Sequence, residues 1–154
     1  MTRLLLIVSL LFTAGCNPVT KTYTSDKGTL TIKGAPSKYS KDHIDFSLKA
    51  EKVTWEYALE QYANVCLKDL KPGQEIPKAM SVTSTECYNK YIIEYVLPFS
   101  IKPKQLENLT KSYLHFAQEY ETTDMTFEQY QKNLTGAYNL YNLTRMAEVA
   151  LVKD

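Results

Sequence analysis

The spacing of apolar residues changes regime several times along this chain. An apolar run interrupted only by Ser9 covers Leu4 to Phe12, and polar residues dominate from Asn17 to Gly28. Two short stretches then alternate apolar with polar, and from Val53 onward apolar positions recur every three or four residues. The alternating stretches are Thr29-Leu30-Thr31-Ile32 and Ile44-Asp45-Phe46-Ser47-Leu48, with Gly34 and Pro36 between them. Period two is the strand signal, so these stretches predict a small extended or β-hairpin unit.

The three-four spacing predicts helices. Trp55, Leu59, Tyr62 and Cys66 form one apolar stripe, with Thr54 placed as N-cap and Pro72-Gly73 as the stop. Thr83-Ser84-Thr85-Glu86 has the form of a capping box and predicts that a helix opens at Cys87 and runs to Leu97. Its Tyr91-Ile92-Ile93-Glu94-Tyr95-Val96 core would also suit a strand. As a helix it is apolar nearly all round and belongs at the centre of a bundle. Pro98 ends it, and Pro103 fits the first turn of the next helix. There Leu106, Leu109, Tyr113, Phe116 and Tyr120 make a three-four stripe. A second box, Thr126-Phe127-Glu128-Gln129, opens a last helix with Phe127, Tyr130, Leu134, Ala137 and Tyr141 on one face. Beyond Tyr141 the apolar positions change sides: Leu143, Met146, Ala147 and Ala150 fall opposite that face. Either the helix kinks between Gly136 and Asn142, or its end meets a surface outside the bundle. The fold class expected is mainly α, a bundle of about four helices with a small N-terminal extended or β-hairpin unit.

The first eighteen residues change the picture most. Arg3 precedes an apolar run of about ten residues, and Thr13-Ala14-Gly15-Cys16 follows before Asn17-Pro18. A bilayer-spanning helix takes roughly 20 apolar residues, so this run is a processing signal and lies outside the fold. A cysteine directly after the small residues resembles the lipobox of bacterial lipoproteins. That resemblance covers residues 1 to about 17 and implies cleavage before Cys16, a diacylglyceryl thioether on its sulfur and acylation of the new amino terminus. Asn17 stands where an aspartate would favour inner-membrane retention in enterobacterial lipoproteins, so the analogy implies an outer-membrane anchor facing the periplasm. The anchor would be strong, each buried methylene contributing about 0.8 kcal/mol. The organisation expected is a signal peptide over 1–15, a lipidated tether over 16–28 and one mostly helical domain over 29–154.

Three cysteines leave one thiol over in an exported chain. If Cys16 carries lipid, Cys66 and Cys87 remain to pair in an oxidising compartment; the alternative is two buried free thiols. Cleavage before Cys16 leaves 139 residues, with 17 basic and 17 acidic side chains. That is long enough for one domain with a core. Residues 17–52 carry seven lysines against four acids, and residues 106–154 four basic groups against seven acids. With no strongly basic stripe, nucleic acid is not an expected partner.

Candidate chemistry is sparse. His43 with Asp42 or Asp45 could orient Ser40 or Ser47, yet no Gly-x-Ser-x-Gly elbow is present. His115 reads as a surface residue. No His-Glu-x-x-His or paired Cys-x-x-Cys supports a zinc site, and no phosphate loop is present, so neither metal nor cofactor is expected. Glu56 and Glu60 share a helix face at i, i+4. Paired carboxylates cleave glycosides, but these two lie opposite the apolar stripe, where side chains are ordinarily solvated. Tyrosine is the compositional excess, with 12 in the chain. Tyr57 lies off its stripe and joins Leu143, Met146 and Ala150 as a candidate partner surface, because tyrosine suits interfaces. The expected function is protein–protein binding by a membrane-anchored periplasmic lipoprotein, of immunity or inhibitor, exclusion, or secretion-pilot type, with an envelope protein as partner. The competing expectation is an envelope enzyme acting on peptidoglycan or lipid through an acidic residue.

Overall fold

The computed structural model describes residues 20–25, 28–33 and 41–153. Two strands, β1 (Thr20–Ser25) and β2 (Gly28–Lys33), pair antiparallel, with Tyr23 opposite Leu30 and Lys21 opposite Ile32. Four α-helices follow: α1 (Lys41–Gln61), α2 (Lys78–Tyr91), α3 (Pro103–Thr122) and α4 (Phe127–Lys153). They form a helical bundle. Both α1 and α2 run on into a wider π turn, Tyr62–Cys66 and Ile92–Val96, the first closed by the Leu67 amide donating to the Tyr62 carbonyl at 3.0 Å. A 3-10 turn, Leu97–Phe99, leads into α3.

The pairing of Thr29–Ile32 with Ile44–Leu48 does not occur: Ile44–Leu48 belongs to α1. The buried face of α1 explains why. Ile44, Ser47, Glu51, Thr54 and Ala58 are all buried and follow the three-four helical spacing, but three of the five are polar. A count of apolar positions sees only the alternation of Ile44, Phe46 and Leu48. Thr54 is therefore not an N-cap. It sits inside the helix, and its hydroxyl donates back to the Ala50 and Glu51 carbonyls at 2.9 and 3.1 Å, which satisfies it without solvent.

α2 repeats the theme. It starts at Lys78, directly after Pro77, rather than at Cys87, and Thr83-Ser84-Thr85-Glu86 lies within it instead of capping it. Its buried positions are Ser81, Ser84, Thr85 and Asn89. Small hydroxyl residues bring α2 against α3 and bond across the contact. Ser81 Oγ is 3.0 Å from the Ala117 carbonyl, and Asn89 Nδ2 donates to the Thr110 carbonyl at 2.8 Å. Thr85 Oγ1 lies 3.1 Å from Tyr130 Oη of α4.

α3 and α4 begin where the sequence places them. Leu106, Leu109, Tyr113 and Tyr120 of α3 are buried, with Phe116 at the boundary. The α4 box forms: the Gln129 amide donates to Thr126 Oγ1 at 3.2 Å, and the Thr126 amide to Gln129 Oε1 at 2.9 Å. The main core joins Ala58, Ile92, Val96, Leu106, Leu109, Tyr113 and Tyr141. A second cluster gathers Ala117, Tyr120 and Tyr130, the two tyrosine rings stacked at 4.7 Å. α4 stays helical throughout Gly136 to Asn142, so no break there accounts for the change of apolar face. Among the described residues, no helix is long and apolar enough to cross a membrane.

Candidate functional site: the two faces of α4

The inner face of α4 is fixed by polar groups as well as by packing. Tyr141, buried, donates its hydroxyl to Oε1 of Glu51, which is wholly inaccessible to solvent. Arg145 Nε donates to Glu51 Oε2 at 3.0 Å, and its Nη1 donates to Asn142 Oδ1 at 2.7 Å. Because the Tyr141 proton is committed to Glu51, the hydroxyl of Ser100, 3.0 Å away, donates to Tyr141 Oη. Ser100 Oγ in turn accepts from the Lys102 amide at 3.2 Å, and Lys102 Nζ pairs with Glu148 Oε2 at 2.5 Å. Tyr141, Arg145 and Glu148 thereby clamp the C-terminal half of α4 onto α1 and the segment ahead of α3.

The i, i+4 spacing that pairs Glu56 with Glu60 does not single out Glu51. Glu56 is exposed, whereas Glu51 is the shielded carboxylate beside a second polar group. Burial holds its carboxyl above the usual range, against the opposing pull of the Tyr141 hydroxyl and the Arg145 guanidinium. Both of its oxygens are engaged and neither meets solvent, so it presents nothing to a substrate. The signal that would have found it is its place in the three-four series Ser47, Glu51, Thr54, Ala58.

With those residues turned inward, the opposite side of α4 is left outside. Leu140 is 65% exposed, Leu143 68%, Met146 51% and Leu151 77%. Ala147 and Ala150 are exposed with them, and a Cβ on Gly136 would meet nothing within 4 Å. This band adjoins an open groove of about 670 Å³ between α3 and α4, lined by Gln105, Asn108, Ser112, Phe116, Leu140 and Thr144 among others. A second groove of about 560 Å³ lies on the other flank, between α1 and α4. Trp55 and Tyr138 meet edge to face at 5.9 Å within it, Leu59 stands half exposed at its mouth, and Lys52, Glu56 and Arg145 supply its polar groups. The stripe of Trp55 and Leu59 is thus a groove wall and not the core face of α1.

The other sequence candidates separate. Leu143, Met146 and Ala150 lie together on the outer face of α4. Tyr57 is not with them. It is half-buried, its ring 4.9 Å from Tyr95 in edge-to-face contact, beside Ala50 and Phe99. Cys66, in the π turn after α1, and Cys87, in α2, are joined as a disulfide with Cα atoms 5.9 Å apart. Cys16 and the segments 1–15 and 16–19 lie outside the described residues, as does Ser40. Ser47 is buried, His43 lies on α1, and His115 is an exposed residue 3.6 Å from Glu119. Among the described residues, no group of three or more His, Cys, Asp or Glu is placed to hold a metal ion.

No family model, curated protein or solved structure matches this chain.

Proposed function

We propose that the protein is a lipid-anchored envelope protein that acts by binding another protein through the outer face of α4. The observation that carries this reading is the exposed apolar band Leu140, Leu143, Met146, Ala150 and Leu151, on a helix whose other side is already buried. Apolar patches rimmed by polar residues on a small domain are the ordinary signature of an interaction site. The lipobox at Cys16 supplies the second half of the reading: a lipid on Cys16, a few residues ahead of β1, holds the helical body beside the outer membrane, facing the periplasm, where its partners are also confined. Immunity or inhibitor, exclusion and secretion-pilot roles all require such a held surface and no reaction.

Two measurements test this. Mass spectrometry of the membrane-extracted protein is expected to find an acylated Cys16 at the amino terminus, and Cys16→Ser protein to leave the membrane fraction. Leu143→Asp combined with Met146→Asp is expected to abolish association in the envelope while leaving the thermal midpoint within a degree or two, since exposed substitutions change stability by about 0.5 kcal/mol or less. Unchanged association, together with digestion of peptidoglycan or lipid by the purified protein, would replace this reading with the enzyme.

A further inference from the structure

The order of residues on the outer face of α4 identifies what covers it. Leu140, Leu143, Ala147 and Ala150 are spaced three, four and three residues apart, the a/d spacing with which one helix seats its side chains between those of another. The positions flanking this seam, Asn139, Thr144, Met146 and Leu151, carry no charge. A partner chosen by complementary charge would find nothing to read. A bilayer surface is a poor match too: helices that lie on membranes line their flanks with lysine and arginine. Arg145 is the one cation between residues 133 and 152, and it is turned inward onto Glu51.

Both leucines of the seam precede both alanines. A helix running parallel would set leucine on leucine at one end and alanine on alanine at the other, leaving the alanine end underpacked. Reversed, the same sequence complements itself, and every layer holds one large and one small side chain. We propose that α4 pairs with α4 of a second copy of this chain, antiparallel about a two-fold axis near residue 145. In that register Leu143 packs on Ala147 of the partner subunit and Leu140 on Ala150 of the partner subunit, and the two-fold repeats both contacts. Such an interface is isologous, closes at two copies and does not propagate. It rests on the reading of this face as a protein-binding surface and names the protein. Two lipid-anchored copies share a plane, which raises their effective concentration and lets a short seam hold them. The α1–α4 groove lies on the other flank of α4, so Trp55, Leu59 and Tyr138 stay uncovered in the pair.

The test uses the full chain in its membrane. Chains carrying Leu140→Cys and chains carrying Ala150→Cys, co-expressed and mildly oxidised, are expected to give disulfide-linked dimers, and each variant alone to give few. Like positions would lie ten residues apart, roughly 15 Å along the axis. Leu143→Glu and Ala147→Lys are each expected to raise the dissociation constant in detergent roughly tenfold or more by burying an unpaired charge. The double variant, which sets each glutamate against a lysine of the partner subunit, is expected to recover the dimer. Efficient cross-linking by either single cysteine variant alone overturns the antiparallel register. A monomeric wild-type chain whose Leu143→Glu variant loses a different protein overturns self-pairing and keeps the binding reading. A monomer for which no substitution on this face alters any association overturns both. Vesicle binding by Cys16→Ser protein that is abolished by Leu143→Glu assigns the face to lipid instead.

Discussion

At the scale of single residues, Glu51 decides how α1 and α4 fit. Its carboxylate answers a guanidinium that is itself mostly buried, so removing either member strands the other. Glu51→Ala is expected to cost about 3–5 kcal/mol, the usual penalty for leaving one charge of a buried pair uncompensated, measured by urea unfolding. The pH dependence has a defined sign. Burial raises the Glu51 pKa above its unfolded value of 4.5, so between those two values the folded chain holds a proton that the unfolded chain has released. The contribution is fully present below 4.5 and is lost as pH rises through the folded value. Urea midpoints of the wild-type chain should carry this downward component across that window, and Glu51→Gln, which cannot titrate, should remove it. An identical pH profile for the two proteins would mean that folding leaves the Glu51 pKa where it stands in the unfolded chain.

At the scale of elements, the helices divide by what their inner faces are made of. α3 and α4 were legible because leucine, phenylalanine and tyrosine mark their buried stripes, and because Thr126 and Gln129 form a reciprocal cap. Thr126→Ala should cost about 1 kcal/mol of stability, read from the shift in denaturation midpoint. α1 and α2 were misplaced for one shared reason. Ser47, Glu51 and Thr54 on one, and Ser81, Ser84, Thr85 and Asn89 on the other, are buried residues that look like loop or cap material. The hydroxyls of Thr54, Ser81 and Ser84 bond to carbonyls of the same helix or of a neighbour, and that of Thr85 pairs with the Tyr130 hydroxyl, partnering that is invisible until the helices are in place. The Cys66–Cys87 disulfide joins the end of α1 to α2 across a separation of 21 residues. In the chain-entropy model reduction should lower stability by about 3 kcal/mol, so denaturation with and without a reductant checks it directly.

At the scale of the whole molecule, tyrosines join the elements into one body. Tyr88 lies against Trp55, Tyr62 and Tyr113, and burial pushes the Tyr62 hydroxyl up to about 12 and those of Tyr88 and Tyr113 upward as well. These groups stay protonated while folded, so their contribution is intact below pH 10 and lost as pH climbs toward 12 and beyond. The part of the tyrosinate absorbance that Tyr62→Phe, Tyr88→Phe and Tyr113→Phe variants lack should therefore rise in step with unfolding by circular dichroism; an earlier rise of that part would show those rings to be accessible. The candidate surface was partly readable, since the change of side beyond Tyr141 already marked Leu143, Met146 and Ala150. The α1–α4 groove was not, because its walls come from residues some eighty positions apart.

The hydroxyl-lined interior has a thermal consequence. Exposing apolar groups on unfolding raises heat capacity and exposing polar groups lowers it, and here Ser47, Thr54, Ser81, Ser84, Thr85, Asn89 and Thr110 are released together with the leucines. Calorimetry should then give an increment below the common value of about 12–15 cal/mol/K per residue. The resulting free-energy curve is broad, and cooling weakens such a chain less than it weakens one held by hydrocarbon alone.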